Sequence, residues 1–259
     1  MLTKQQIDAY LSRIRFTPPA SGRAADLANL RALQRAHLMS VPYETLDIME
    51  GRPLDLSADA LFDKIVTRRR GGYCFELNEL FCVLLLSLGY RTERHFARYL
   101  RGEAEIPMRR HEVLTVELPE GVYLCDVGVG AEIPLWPVRV SAEPQKQERG
   151  TWACREDPVL GTVLCELTDG RAEDVFAFTP EKTFPVDFLA TSYYCETSPD
   201  SVFRKELMCA IRTPTGRISV KGDEFHFHRD GPPEIIRPKD PDEFNELLFR
   251  YFGLSPDRA

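Results

Sequence analysis

An α+β protein is what this sequence predicts, with helices gathered at the N-terminal end and an antiparallel sheet or barrel after them. Two observations carry that reading. Over the first ninety residues apolar side chains recur at helical spacing, and from Tyr90 onward the segments shorten, turn rich in β-branched and aromatic residues, and are separated by Gly, Pro and acidic turns.

The helical part reads in order. MLTKQQIDAYLSRI sets Ile7, Tyr10, Leu11 and Ile14 at helical spacing with polar residues between. Residues 24–39 place Leu27, Leu30, Leu33, His37 and Leu38 along one side of a second helix. A third, 57–66, begins at Ser57, whose hydroxyl suits an N-cap, and presents Leu61, Phe62, Ile65 and Val66. A fourth starts at or near Cys74 and stops at Gly89, a natural place for glycine to end a helix. Strands are expected within 90–100, 111–118, 122–130, 162–167 and 174–179, with a loop around Pro134, Pro137 and Pro144. Residues 203–213 and 217–229 read as further strands. A last helix runs from about Pro241 to Phe252, its proline well placed in the first turn.

Composition narrows the function. With 43% hydrophobic and 28% charged residues the chain reads as a folded globular protein. A formal net charge of −7 argues against a nucleic-acid partner, because duplex binding rests on a basic surface that releases counterions. The longest apolar run, Phe81 to Leu86, is far short of the about 20 residues of a membrane span. The N-terminus lacks the continuous apolar core of a signal peptide, and seven cysteines with no CxxC pair suit a reducing compartment. A cytoplasmic protein is expected, its oligomeric state unread.

The stretch RGGYCFELNELF, residues 70–81, raises the question of chemistry. A cysteine at a helix N-terminus sits among unpaired N–H groups and the positive end of the helix dipole, which favour the nucleophilic thiolate. Gly71 and Gly72 then allow a positive-φ turn and open an approach to the sulfur. The competing reading of Cys74 is one more small buried residue, the reading that fits Cys82 inside FCVLLL. A thiol nucleophile needs a base, and the base an orienting group. His111 opens one strand and Asp126 closes the next. A two-residue turn flanked by Leu118 and Gly121 sets His111 opposite Gly128 and diagonal to Asp126. Alternatively His111 is a solvent-facing strand start and Asp126 a turn residue.

RGGYCFELN at 70–78, HEVLTVEL at 111–118 and CDVGVG at 125–130 resemble the three signatures of the arylamine N-acetyltransferases, in that family's order and spacing. YLSRI at 10–14, LRALQRAHLMSVPYETLDI at 30–48, DKIVTRRRGG at 63–72 and YYCETSPDSVF at 193–203 also resemble family segments, so the likeness covers most of the chain. It implies a papain-like thiol-enzyme core with a helical bundle (1–89), a central antiparallel β-barrel (90–192) and a C-terminal α/β lid (193–259). It further implies a catalytic triad of Cys74, His111 and Asp126, acetyl-CoA as cosubstrate without a metal, and aromatic amines or hydrazines as acceptors. Tyr194 and Thr197 align with the region that approaches CoA. Three positions depart from the pattern. Val129 replaces an aromatic residue of the acceptor pocket, VPYET brings Tyr43 and Thr45 where VPFEN is usual, and Ser192 stands where asparagine is common.

Other readings stay open on sequence. An amide synthase of secondary metabolism would keep the same triad on a carrier-tethered acyl chain, a thiol hydrolase would admit water, and a catalytically silent binding module would use none of it. Arg68, Arg69, Arg70, Arg109 and Arg110 either meet CoA phosphates or form solvated faces. His226 and His228 alternate on a strand and face one side, as metal ligands do, without a third ligand at a recognisable spacing.

Overall fold

The computed structural model describes residues 1–19 and 22–255, so parts of the segments expected at 1–89 and 193–259 lie outside the described residues. Helices α1 (Lys4–Arg13), α2 (Leu27–Leu38), α3 (Leu46–Met49), α4 (Ala58–Phe62) and α5 (Cys74–Ser87) make up the N-terminal part. Their caps follow the sequence. The Thr3 hydroxyl accepts from Gln6 N–H while the Gln6 side chain reaches back to Thr3 N–H, and the Ser57 hydroxyl accepts from Ala60 N–H. The third expected helix departs from regularity, since α4 stops at Phe62 and continues as a π-helical turn, Asp63–Thr67. Two more helices, α6 (Phe188–Thr197) and α7 (Pro241–Phe252), follow later in the chain.

Helix α5 is the centre of the first core. Twelve consecutive residues, Cys74 to Leu85, are buried, Glu76, Asn78 and Glu79 among them, so it is enclosed on every side rather than along one stripe. Leu30, Leu33, Tyr10, Ile14 and Ile65 close around it.

Strands β1 (Tyr43–Glu44), β2 (Arg91–Tyr99), β3 (His111–Leu118), β4 (Gly121–Cys125), β5 (Val138–Arg139), β6 (Gln145–Lys146), β7 (Thr151–Asp157), β8 (Gly161–Thr168) and β9 (Arg171–Phe178) precede α6. Strands β10 (Met208–Thr213), β11 (Gly216–Lys221), β12 (Glu224–His228) and β13 (Glu234–Ile236) come after it. One antiparallel sheet has the order β5-β4-β3-β2-β9-β8-β7-β6. Its ends curl together, with Cys154 N–H of β7 donating to Ser141 O just past β5, so the sheet is a nearly closed barrel around Trp152, Leu164 and Phe176. The β3–β4 hairpin has the register read from sequence, Leu118 opposite Gly121, but the ladder ends at Leu114–Cys125 and residues 126–128 leave the sheet.

The second sheet, β1-β10-β11-β12-β13, packs its own core of Phe225, Phe227, Leu247, Leu248 and Phe252 under α7. The segment 217–229, expected as one strand, is a hairpin folded at Gly222, whose φ is +62°. Strand β1 carries the N-terminal chain into this sheet, with Tyr43 opposite Ala210 and Glu44 opposite Cys209. The fold is α+β with a helical part, a barrel and an α/β layer, as expected. Among the described residues no helix is long and apolar enough to cross a membrane.

Candidate active site

Cys74 is the first residue of α5 and is 2% exposed. A network of buried charges fixes the turn before it. Arg70 donates to Glu44 Oε1 (2.9 Å) and Asp47 Oδ1 (3.1 Å), and Lys64 reaches Asp47 Oδ2 (2.6 Å) and Glu76 Oε1 (2.7 Å). Glu76 Oε2 in turn accepts from Tyr73 N–H, capping the helix that carries the thiol. Arg70 is therefore spent inside the protein, with no face toward a ligand. Arg68 pairs with Asp63 at the surface, Arg69 takes the left-handed conformation at φ +59°, and Arg109 pairs with Glu181. Of the five arginines, Arg110 alone lines the cavity described below, bound to Glu103 at 2.8 Å.

The two glycines before Cys74 do a different job from the one expected. Neither has a positive φ. A Cβ on Gly71 would stand 2.1 Å from Pro42 O, and one on Gly72 2.8 Å from Glu76 Oε2, so both are small because backbone and cap press against them. The close approach that matters at the thiol is Gly128, where a Cβ would lie 2.7 Å from Cys74 Cα.

His111 and Asp126 meet, although Asp126 lies just beyond the last rung of the hairpin ladder. His111 Nε2 lies 2.7 Å from Asp126 Oδ2, both side chains being buried. Asp126 Oδ1 accepts from Gly128 N–H (2.8 Å) and from Asn78 Nδ2 (2.9 Å). Asn78 also donates to Glu112 O (2.6 Å) and accepts from Val127 N–H (2.9 Å). It stands one helical turn after Cys74, so the same face of α5 that presents the sulfur also clamps the aspartate. Sequence reasoning missed this residue, although its i+4 spacing from the cysteine was a usable signal.

The Cys74 sulfur is 3.6 Å from Arg110 O, the carbonyl next to His111. Burial pushes the Cys74 thiol well above its ordinary range; the nearby Cys195 thiol adds to the rise, and the Glu112 peptide N–H opposes it. Burial thus works against the depression expected from a helix N-terminus. Removing a thiolate from water costs more than the partial charge of a helix end returns.

Cys74 and His111 open into one cavity of about 480 Å³, with Tyr43 and Val129 also in its wall. Tyr43 is buried, which raises its hydroxyl pKa well above normal and keeps it a neutral hydrogen-bonding group. The Thr45 hydroxyl accepts from Met208 N–H at 3.0 Å, tying β1 to β10, and Ser192 Oγ meets Tyr73 OH at 2.6 Å. Tyr194 and Thr197 lie on the exposed side of α6, outside this cavity. His226 and His228 do share one side of β12, but their partners are Glu224 and Ser219. Among the described residues no group of three His, Cys, Asp or Glu is placed to hold a metal ion.

Known proteins resemble this chain over most of its length. A family model described as N-acetyltransferase matches residues 26–259. The chain is 35% identical to an arylamine N-acetyltransferase of Mycolicibacterium smegmatis over 96% of its own length and 91% of that protein's. The solved arylamine N-acetyltransferase of Mycobacterium marinum in complex with CoA superposes with a TM-score of 0.89 at 33% identity, covering 98% of this chain and 94% of the other. That of Salmonella typhimurium gives 0.90 at 27%, covering 98% and 92%.

Proposed function

The chain belongs to the arylamine N-acetyltransferase family, and from that premise we propose that it moves an acetyl group from acetyl-CoA to aromatic amines or hydrazines by way of an acetyl-cysteine at Cys74. The observation that carries the reading is a buried thiol and an aspartate-held imidazole opening into one cavity.

Burial disfavours a lone thiolate, so ionised sulfur needs the His111 imidazolium beside it. With Nε2 engaged by Asp126, Nδ1 is the ring nitrogen left to take the Cys74 proton. The sulfur attacks the thioester carbonyl, and backbone N–H groups at the start of α5 face the developing oxyanion. The carbon–sulfur bond to CoA breaks and His111 returns the proton to the departing CoA sulfur. In the second half, an amine of low basicity, unprotonated near neutral pH, attacks acetyl-Cys74. A C–N bond forms, the C–S bond breaks, and the amine proton passes to the active-site pair. The two half-reactions share one site and predict ping-pong kinetics.

Tyr43 and Val129 are proposed as acceptor-pocket residues, supported by their place in the cavity wall. Tyr194 and Thr197 are proposed to meet the part of CoA that stays outside the cavity, supported by their exposure on α6. A cytoplasmic setting is supported by the free state of all seven cysteines.

Intact-protein mass spectrometry after brief mixing with acetyl-CoA tests the reading. One acetyl group should appear on the peptide holding Cys74 and disappear when an arylamine or hydrazide is added. An unlabelled protein, or a Cys74→Ala protein that still turns over, would overturn it.

A further inference from the structure

Two buried tyrosines stand beside the nucleophile, and one of them spends its hydroxyl inside the protein. Tyr73, the residue before Cys74, is fully enclosed, and its hydroxyl meets Ser192 Oγ at 2.6 Å. Tyr43 is different. Among the described residues its hydroxyl has no hydrogen-bond partner, yet it is not sealed in the core, because the side chain lines the cavity together with Cys74 and His111. A polar group so placed is an unmade hydrogen bond facing the reacting atoms, and an unmade bond in a largely buried wall needs a reason.

The Tyr43 ring is held from several sides. Strand β1 runs parallel to the turn before α5, with Tyr43 registered against Gly72 and Glu44 N–H donating to Gly72 O at 2.9 Å. On the other edge of β1, Tyr43 pairs with Ala210. Gly130 closes on the ring itself, since a Cβ there would lie 3.1 Å from Tyr43 Cδ1. A donor fixed in this way needs little reorganisation when charge appears in front of it. Burial raises the Tyr43 pKa; among neighbouring groups Cys74 adds most to the rise, followed by Cys195 and Tyr99, and Arg110 opposes it. The phenol therefore keeps its proton and shares it. No hydrogen bond joins it to the sulfur, whose own contact is Arg110 O at 3.6 Å. Hydroxyl and sulfur border the same open space, where an acyl group on Cys74 must sit.

We propose that the Tyr43 hydroxyl is a catalytic oxyanion donor, giving a hydrogen bond to the carbonyl oxygen of the acyl group at Cys74 in both half-reactions. This rests on the acetyl-transfer reading above and adds a side-chain donor to the backbone N–H groups of α5. When the sulfur adds to the carbonyl carbon, the C=O π pair moves onto oxygen, and the phenol tightens its hydrogen bond to that oxygen without releasing the proton. When the tetrahedral intermediate collapses, the pair returns to the carbonyl and the C–S bond to CoA breaks. Attack by the amine on acetyl-Cys74 repeats the sequence, the bond that breaks now being the one to Cys74. Phenylalanine, the residue of the more usual VPFEN, fills the same space and donates nothing, so the donor comes with the departure at this position.

Tyr43→Phe isolates the hydroxyl, and the test compares two reactions of one thiol. Acetylation of Cys74 by acetyl-CoA or by 4-nitrophenyl acetate, followed by mass spectrometry, passes through an oxyanion. Alkylation by iodoacetamide is a displacement at saturated carbon and does not. The variant should acetylate at least about tenfold more slowly with both donors, release its acetyl group to an arylamine more slowly by a similar factor, and alkylate within about twofold of wild type at each pH. In steady state the loss should fall on kcat and kcat/KM alike, since the bond is made only in the transition state. Acetylation as fast as that of wild type would overturn the proposal. Equal slowing of acetylation and alkylation would assign the hydroxyl to the thiolate, and slowing of one half-reaction alone would assign it to the binding of one substrate; each of these overturns it too. A wild-type protein acetylated at Cys74 by 4-nitrophenyl acetate but not by acetyl-CoA would sink the donor assignment, while the ratio of wild-type to variant rates with the ester would still decide the role of Tyr43. A thiol that neither donor acetylates would sink both.

Discussion

At the residue scale, one buried imidazole is held by a carboxylate and another is not, and they answer to different pressures. His111 has Asp126 at 2.7 Å, whereas His37, in the helical core, has the Tyr10 hydroxyl at 3.0 Å and, among the described residues, no carboxylate. Burial drives the His37 pKa down to about 3, reinforced by the charge of Arg13. Its folded value lies below its unfolded value, so the native state holds it neutral, and that stability is present above about pH 6.5 and lost as pH falls toward 3. The expected loss is about 1.4 kcal/mol per pH unit, read by urea unfolding between pH 6.5 and 4.5, and a His37→Gln protein should show a correspondingly flatter profile. For the proposed base the prediction concerns the thiol. Burial raises the Cys74 pKa, so His111→Ala should cut iodoacetamide labelling at pH 7 by at least about tenfold, and an unchanged rate would contradict the role assigned to His111. Asn78→Ala would leave Val127 N–H, Glu112 O and one oxygen of Asp126 each short of a partner. A loss of roughly 2–4 kcal/mol in unfolding free energy is expected, and a change under about 1 kcal/mol would mean that water replaces the amide.

At the element scale, the parts legible in the sequence are those whose pattern faces one way. The N-caps at Ser57 and the first-turn Pro241 are where their residue types predict, and the Leu118–Gly121 hairpin pair follows from counting. Helix α6 was not legible, because it buries Phe188, Ser192 and Cys195 while exposing Leu189 and Tyr193, so no apolar stripe marks it. Strand β7 was missed for a related reason: TWACRED mixes charged and small residues, and only its pairing with β8 and β6 makes it a strand. The turn into α5 carries its own test. Gly71→Ala would push a methyl carbon to 2.1 Å from Pro42 O, backbone that cannot yield cheaply. Thermal or urea unfolding should register about 1–3 kcal/mol of destabilisation.

At the scale of the whole molecule, the cavity exists because three parts of the chain converge on it. The helical part supplies Cys74, the barrel segment His111 and Val129, and the second sheet Tyr43, Ala210 and Arg217. The tie between the first and last of these runs through Glu44. Its backbone pairs with Cys209 while its fully buried carboxylate holds Arg70, which anchors the turn before Cys74. Glu44→Gln would leave that buried guanidinium with Asp47 as its one carboxylate partner among the described residues, and an unfolding loss of about 3–5 kcal/mol is expected. A variant as stable as wild type would show that the sheet pairing at β1 secures the turn by itself.

By itself the sequence determined the α+β class, the order of helices before strands, and the three short segments that bring a cysteine, a histidine and an aspartate. Those are local matters, because caps, turns and two-residue or 3.6-residue periods are written in neighbouring residues. Tertiary structure alone decided that burial raises the Cys74 thiol, since burial depends on what covers the residue rather than on the helix it begins. It also decided what Gly71 and Gly72 are for, and it set Arg217, far along the chain, against the carbonyl of Gly130. Desolvation and close approach are properties of what lies across the gap, and no stretch of sequence contains its own far wall.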